Sequence, residues 1–362
     1  MSTFENKYSF WEKTVHQMAF KSWGAQIALS NIEDNLYKKK LQDIEVFKPV
    51  FISALPRAGT TLLLDLIVQT DEFVSHTYRY MPFLLTPLFW NSVTNSFHKS
   101  DTPRERAHGD GMLVSVDSPE AFEEIIWRQF WPSRYEGKKI EPQFAGEYAE
   151  FAKFFINHIR KVIFLGTKAE NELPRYISKN NLNIVRLGYI RKILPDAKII
   201  VPFRDPLQHA SSLLKQHRNF LAIHKDDSFA RDYMEAIGHY DFGENLRPVN
   251  FNKWLTSGEH SDRLSLDFWL DYWNNAYTYL LDHESEHVQF LAFDTFCQHP
   301  GDVLAALVDF LEIKSGPMLL EKASQVRSPR LYSIDRSTVN AEILDKSEAL
   351  YERLLNGSPF FV

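Results

Sequence analysis

The sequence predicts an α/β fold with a central parallel sheet flanked by helices. Apolar runs at residues 46–54, 198–203 and 287–293 each end in a polar turn and lead into a helical pattern. Strand runs that alternate with helical segments mark crossover connections between parallel strands. The chain has 362 residues, 44% of them hydrophobic and 24% charged, enough to bury the core that such a sheet requires.

Residues 1–45 read as an N-terminal helical segment packed on the main domain, because Phe10, Trp11, Val15, Met18, Ala19 and Trp23 recur at three- to four-residue spacing. Lys7, Lys13 and Lys21 offer a membrane-surface alternative, but Glu5 and Glu12 interrupt that basic face. The main α/β domain spans 46–312. Its first strand is 46–54, followed by a helix over 60–69, a short strand over 72–76 and a polar stretch over 91–112. Ser118 reads as a helix N-cap, with Pro119 at the first helical position and acids in the first turn, so a helix is expected from there to Phe130.

Residues 144–159 read as a helix, 161–165 as an apolar strand leading into Gly166, Thr167 and Lys168, and 183–194 as a helix. The strand Lys198–Phe203 precedes a helix over 207–218. Residues 219–263 are polar and irregular in pattern, with short helical pieces, which suggests an insertion or lid. A Trp- and Tyr-rich helix over 266–284, the strand 287–293 and a helix over 301–311 complete the domain. Residues 313–362 form a C-terminal loop and helix.

Composition narrows the function classes. The net charge of -6 gives no support to nucleic-acid binding as the main task. A single cysteine, Cys297, allows no internal disulfide and fits a reducing compartment. The start shows no basic stretch followed by an apolar one, and no run of about 18 apolar residues occurs, so a cytoplasmic protein is expected, with membrane association at most peripheral. His217, His224 and His239 lack zinc-like spacing and read as ordinary surface histidines, so no metal site is expected.

The stretch from Val50 to Leu64 joins a strand to a helix through Leu55, Pro56, Arg57, Ala58, Gly59, Thr60 and Thr61. Such a junction builds an anion site. Helix N-terminal N–H groups point outward without partners, and the helix dipole adds partial positive charge. Gly59 permits a sharp turn, the threonines supply hydroxyls and Arg57 supplies a full charge. Against the nucleotide-triphosphate loop G-x-x-x-x-G-K-[ST], Thr60 stands where the lysine belongs. The loop suits a phosphate-like group but is a poor ATP or GTP loop. A well-capped structural turn is the other reading of this stretch.

A second junction repeats the logic. Arg204 lies at the carboxyl end of the strand Lys198–Phe203, where open α/β sheets bind ligands, and Ser212 follows within two helical turns. Alone, Arg204-Asp205-Pro206 also reads as a salt-bridged turn.

Together these motifs resemble the sulfotransferase family, which has a P-loop-like architecture. The Leu55–Thr61 loop resembles its 5′-phosphosulfate-binding loop. The stretch from Ile200 to Pro206 with Ser212 resembles its 3′-phosphate-binding motif, and the stretch from Phe290 to Phe296 with His299, Pro300 and 307–311 resembles its later strand–helix segment. The likeness covers about 46–312. Two departures stand out: Asp294 where the family often has Glu, and Arg57 where cytosolic small-molecule members usually have Lys.

The resemblance implies transfer of a sulfuryl group from 3′-phosphoadenosine 5′-phosphosulfate (PAPS) to an acceptor hydroxyl on a carbohydrate, a lipid-linked glycan or a small molecule, without a metal. Arg57, Ala58, Gly59, Thr60 and Thr61 would grip the 5′-phosphosulfate, with Arg57 also stabilising the leaving oxygen. Arg204 and Ser212 would bind the 3′-phosphate. Lys168 is expected to reach the transferred group from a strand end. His76 is the first candidate for general base, since imidazole titrates near neutrality, with His108, Asp110, Glu120 and Glu123 as rivals. The competing functions are a P-loop-type kinase or NTPase, which the absent lysine disfavours, and a non-catalytic nucleotide-binding protein on the same fold.

Overall fold

Seven strands occur among the described residues: β1 (Val50–Ile52), β2 (Phe73–Val74), β3 (Arg104–Glu105), β4 (Leu113–Val114), β5 (Arg175–Lys179), β6 (Lys198–Phe203) and β7 (Val288–Ala292). The structure, a computed structural model, describes residues 10–94, 104–105, 113–114, 117–142, 149–168, 172–256, 262–283, 285–358 and 360. Five strands form the central sheet in the order β2-β5-β1-β6-β7. Every pairing within it is parallel. β3 and β4 form a separate antiparallel pair.

Side-chain alternation divides the core into two layers. Val50, Ile52, Ile177, Ile200 and Leu291 face one cluster, which the helices Thr60–Val68 and Pro300–Leu311 cover. Phe51, Tyr176, Ile199, Val201 and Phe290 face the other, covered by the helices Ala149–Gly166, Pro206–Asp226 and Leu266–Leu281. Burial on both faces explains why these strands read as continuous apolar runs. The α/β class with a flanked parallel sheet is the fold observed.

Three local readings need correction. Residues 161–165 are not a strand but the last turns of the helix Ala149–Gly166. Phe151, Phe155, His158, Ile159, Val162 and Ile163 keep a helical period on its buried face, and the apolar window continues that stripe. The strand lies further on, at β5. The helix expected at Ser118 begins instead at Glu124, while Pro119 forms a bridge with Thr77. The helix expected to end at 218 runs on to Asp226, so the short helical pieces expected over 219–263 include its last turns and a second helix, Ser228–Ala236, and Phe220, Tyr240, Phe242 and Trp254 are buried.

The N-terminal helices Phe10–Lys21, Trp23–Leu36 and Lys38–Gln42 precede the sheet. One buried cation anchors the second of them. Lys161 Nζ lies 2.7 Å from Asp34 Oδ1, 3.0 Å from Glu33 Oε2 and 2.7 Å from Ser30 Oγ. Among the described residues no helix is long and apolar enough to cross a membrane.

Candidate active site

Parallel strands place all their carboxyl ends on one edge. From β1 the chain builds one side of the sheet with β2 and β5, then crosses to the other with β6 and β7. The loops after β1 and β6 therefore diverge at a topological switch point, where open α/β sheets bind ligands.

The loop after β1 is pinned at its base. Ser53 N donates to Ile200 O at 3.0 Å, and Ser53 Oγ donates to Asn180 O at 2.8 Å, which ties the loop to both neighbouring strands. Two residues then take left-handed backbone conformations, Arg57 at φ 71° and Gly59 at φ 90°. Gly59 precedes the helix Thr60–Val68 and brings no side-chain cap. The first-turn N–H groups of such a helix are available to an anion. A side chain does not fit at Gly59, because a Cβ there would lie 2.1 Å from Phe293 Cε2. Gly59→Ala is expected to cost about 2–4 kcal/mol through backbone strain and overpacking. Urea unfolding checks this, and a variant as stable as the native chain would show that the loop relaxes freely.

The β6 junction folds for local reasons. Asp205 caps the helix Pro206–Asp226 by accepting from Gln208 N at 2.9 Å, and Pro206 occupies its first turn. Asp294, just after β7, accepts from Asp205 N at 2.7 Å and lies 3.8 Å from Arg204 Nε. Burial pushes the Asp294 carboxyl up, against the pull of Asp205 N–H and Arg204.

The two junctions meet. Arg57 Nε donates to Ser212 Oγ at 3.4 Å, and Arg204 Nη1 donates to Arg57 O at 3.2 Å. Arg204 is 4% exposed, and its Nη2 has no hydrogen-bond partner. A buried guanidinium with an unused donor suits a phosphate or sulfate oxygen. Arg57, Gly59, Thr60, Arg204 and Ser212 thus stand in one cradle built from β1 and β6.

Lys168 and His76 do not join it. Lys168 follows the helix Ala149–Gly166 and pairs with Asp71 at 2.8 Å, both exposed. Asp71 lies just before β2 and Lys168 before β5, so the pair sits at the amino ends of the strands, opposite the cradle. His76 is 1% exposed, its Nε2 2.8 Å from His158 Nε2 and its Nδ1 3.4 Å from Tyr176 Oη. Burial lowers its pKa to about 3. Glu123 is also a core group, accepting from Trp127 Nε1, Asn183 Nδ2 and Tyr176 Oη. His108 and Asp110 lie outside the described residues.

A different lysine stands at a strand end beside the cradle. Lys179 closes β5 and pairs in register with Ile52, the residue before the loop. Its Nζ lies 3.7 Å from Glu120 Oε1, whose Oε2 accepts from Tyr78 Oη at 2.8 Å. His239 and Asp241 are half-buried beside them, with Asn181 Nδ2 donating to Asp241 Oδ2 at 3.1 Å. Burial lowers the His239 imidazole, with Glu120 opposing, and raises the Asp241 carboxyl. His217 and His224 are buried, each accepting from a backbone N–H through Nδ1, and are not surface groups. The clue to Lys179 was the charged end of a short strand, hidden by placing that strand at 161–165. No group of three or more metal-ligating side chains occurs among the described residues.

Comparisons with known proteins bear on the fold and the family. A family model described as the sulfotransferase family matches residues 49–247. Among solved structures, sulfotransferase STF9 from Mycobacterium avium superposes with a TM-score of 0.53 at 14% identity, over 91% of this chain and 81% of that one. Sulfotransferase STF1 from Mycobacterium tuberculosis H37Rv gives a TM-score of 0.47 at 11% identity, over 90% of this chain and 81% of that one. At these identities the likeness concerns the fold. No curated protein sequence matches the chain. The family match covers more than half of the chain and both anion junctions, and the chain belongs to the sulfotransferase family.

Proposed function

We propose that the protein transfers a sulfuryl group from PAPS to the hydroxyl of a carbohydrate, lipid-linked or small-molecule acceptor. The observation that carries this reading is the junction of the two anion loops, with Arg57 Nε 3.4 Å from Ser212 Oγ and Arg204 Nη1 3.2 Å from Arg57 O. A donor with phosphate groups at both its 5′ and 3′ positions needs two anion sites held at a fixed separation. A nucleoside triphosphate needs one loop with a lysine at its helix start, where this chain has Thr60.

In this reading the helix start at Thr60 and Thr61 and the Arg57 guanidinium hold the 5′-phosphosulfate. Arg204 and Ser212 hold the 3′-phosphate, whose presence separates this donor from ordinary adenylates. The transfer forms a bond from the acceptor oxygen to sulfur and breaks the bond from sulfur to the bridging oxygen. The protein's part is positioning and charge stabilisation. Lys179 takes the role that the sequence suggested for Lys168, a cation at a strand end next to the loop. Glu120 and His239, beside Lys179, replace the buried His76 as groups to accept the acceptor proton. His239 suits that task because its lowered pKa keeps the ring neutral at physiological pH.

A thermal-shift series with 3′-phosphoadenosine 5′-phosphate, AMP and ATP with Mg²⁺ tests the donor. The bisphosphate is expected to stabilise by about 2.7 kcal/mol at a hundredfold excess over its Kd, and AMP far less. Stabilisation by ATP with Mg²⁺ alone would overturn the reading in favour of a kinase or NTPase.

A further inference from the structure

His209 lies on the helix Pro206–Asp226 and is fully buried. Its Nε2 is 2.8 Å from Pro56 O. A carbonyl oxygen only accepts, so Nε2 carries the proton and Nδ1 is the bare nitrogen. No hydrogen-bond partner meets that Nδ1. Burial and the neighbouring charges of Arg204 and Arg57 lower the ring's pKa to about 3, so it is a neutral donor at every physiological pH.

The next carbonyl along the loop, Arg57 O, accepts from Arg204 Nη1 at 3.2 Å. Two successive loop carbonyls are therefore held by groups from the same β6 junction, five residues apart in sequence. A peptide whose carbonyl is held on one side presents its N–H on the other. The Pro56 carbonyl belongs to the peptide that carries the Arg57 N–H, and the Arg57 carbonyl to the peptide that carries the Ala58 N–H. Arg57 adopts φ 71° between them, a conformation that a non-glycine residue keeps only when its surroundings enforce it.

We infer that His209 is a positioning residue that, together with Arg204, turns the carbonyls of Pro56 and Arg57 away from the 5′-phosphosulfate position and so presents the loop N–H groups to that end of the donor. The inference rests on the donor reading above for its ligand, but the loop geometry it concerns exists without one. His209 touches no donor atom itself. It acts through the orientation of the peptide it holds, and a released carbonyl would point a partial negative charge toward a bound phosphate.

The test uses the full chain with His209→Leu, which removes the donor at similar volume, and His209→Asn, whose shorter amide cannot reach. His209→Gln keeps an N–H within reach and is the rescue. Hydrogen exchange of the peptide covering 53–62, measured without ligand, is expected to speed up at least fivefold in the Leu and Asn variants and to stay near native in the Gln variant. Isothermal titration with 3′-phosphoadenosine 5′-phosphate is expected to show a Kd raised tenfold or more for Leu and Asn, and within about threefold of native for Gln. Native exchange in the Leu and Asn variants would overturn the inference, as would a Gln variant no better than Leu. If the native chain does not bind the bisphosphate, the donor reading fails while the exchange measurement still decides the role of His209.

Discussion

Arg204→Ala is expected to weaken binding of 3′-phosphoadenosine 5′-phosphate by about 30-fold or more. The side chain is 4% exposed, holds Arg57 O at 3.2 Å and faces Asp294 at 3.8 Å. Truncating one member of a buried, hydrogen-bonded charge pair costs about 2–5 kcal/mol. In the proposed reading two losses combine, the direct charge-assisted contact to a phosphate and the support of the loop that would hold the other one. Arg204→Lys is expected to recover little, because a single ammonium cannot serve the loop carbonyl and a phosphate oxygen together. AMP separates the two contributions. If Arg204 serves the 3′-phosphate, AMP affinity changes much less than bisphosphate affinity. Isothermal titration of both ligands provides the comparison, and an unchanged bisphosphate Kd would remove Arg204 from the site.

The second large effect concerns stability. Lys161→Ala is expected to lower the unfolding free energy by about 3–5 kcal/mol, because it leaves buried carboxylates without their counter-charge. Lys161 is 1% exposed and Glu33 fully buried, and the same ammonium also meets Asp34 and Ser30. Glu33 accepts from Phe89 N as well, so this cluster joins the Trp23–Leu36 helix to the body of the domain. Burial pushes the Glu33 carboxyl up while Lys161 and the Phe89 N–H pull it down, and removing the lysine leaves only the Phe89 hydrogen bond against burial and the Asp34 charge. A triple variant with Lys161→Met, Glu33→Gln and Asp34→Asn is expected to recover much of the loss, since it removes the charges rather than stranding them. Urea unfolding of both proteins decides the point. A Lys161→Ala protein as stable as the native chain would mean that water reaches the carboxylates.

Much of the fold was legible along the chain. The runs read at 46–54, 198–203 and 287–293 contain the sheet strands Val50–Ile52, Lys198–Phe203 and Val288–Ala292, because parallel strands buried on both faces are continuous apolar segments with polar turns at their ends. β5 was not legible. Its sequence, Arg-Tyr-Ile-Ser-Lys, is charged at both ends. The more apolar window at 161–165 belongs to a helix whose buried stripe happens to be dense there. A five-residue window cannot separate the two, since period 2 and period 3.6 barely diverge over so short a span. The acids before Glu124 misled in a similar way. Ser118 and Pro119 carry a helix-start signal, but Pro119 bridges to Thr77 and the helix does not begin until Glu124.

By itself the sequence determined the class of fold, the two strand-to-helix junctions and the residues that suit each junction to an anion. Those features are local: a glycine, a helix start, a capping aspartate and an arginine within a few residues of a strand end. Only the tertiary structure decided which side chains the junctions share. Strand order places Lys179 beside Ile52 and leaves Lys168 at the far edge, helix packing buries His76 against His158, and one helix brings His209 to Pro56 across more than 150 positions. Parallel register and helix packing join residues that are distant in sequence, so no spacing along the chain records them. The Arg57 loop is anion-seeking from its own residues, but the shape that would let it bind comes from the strand and helix beside it.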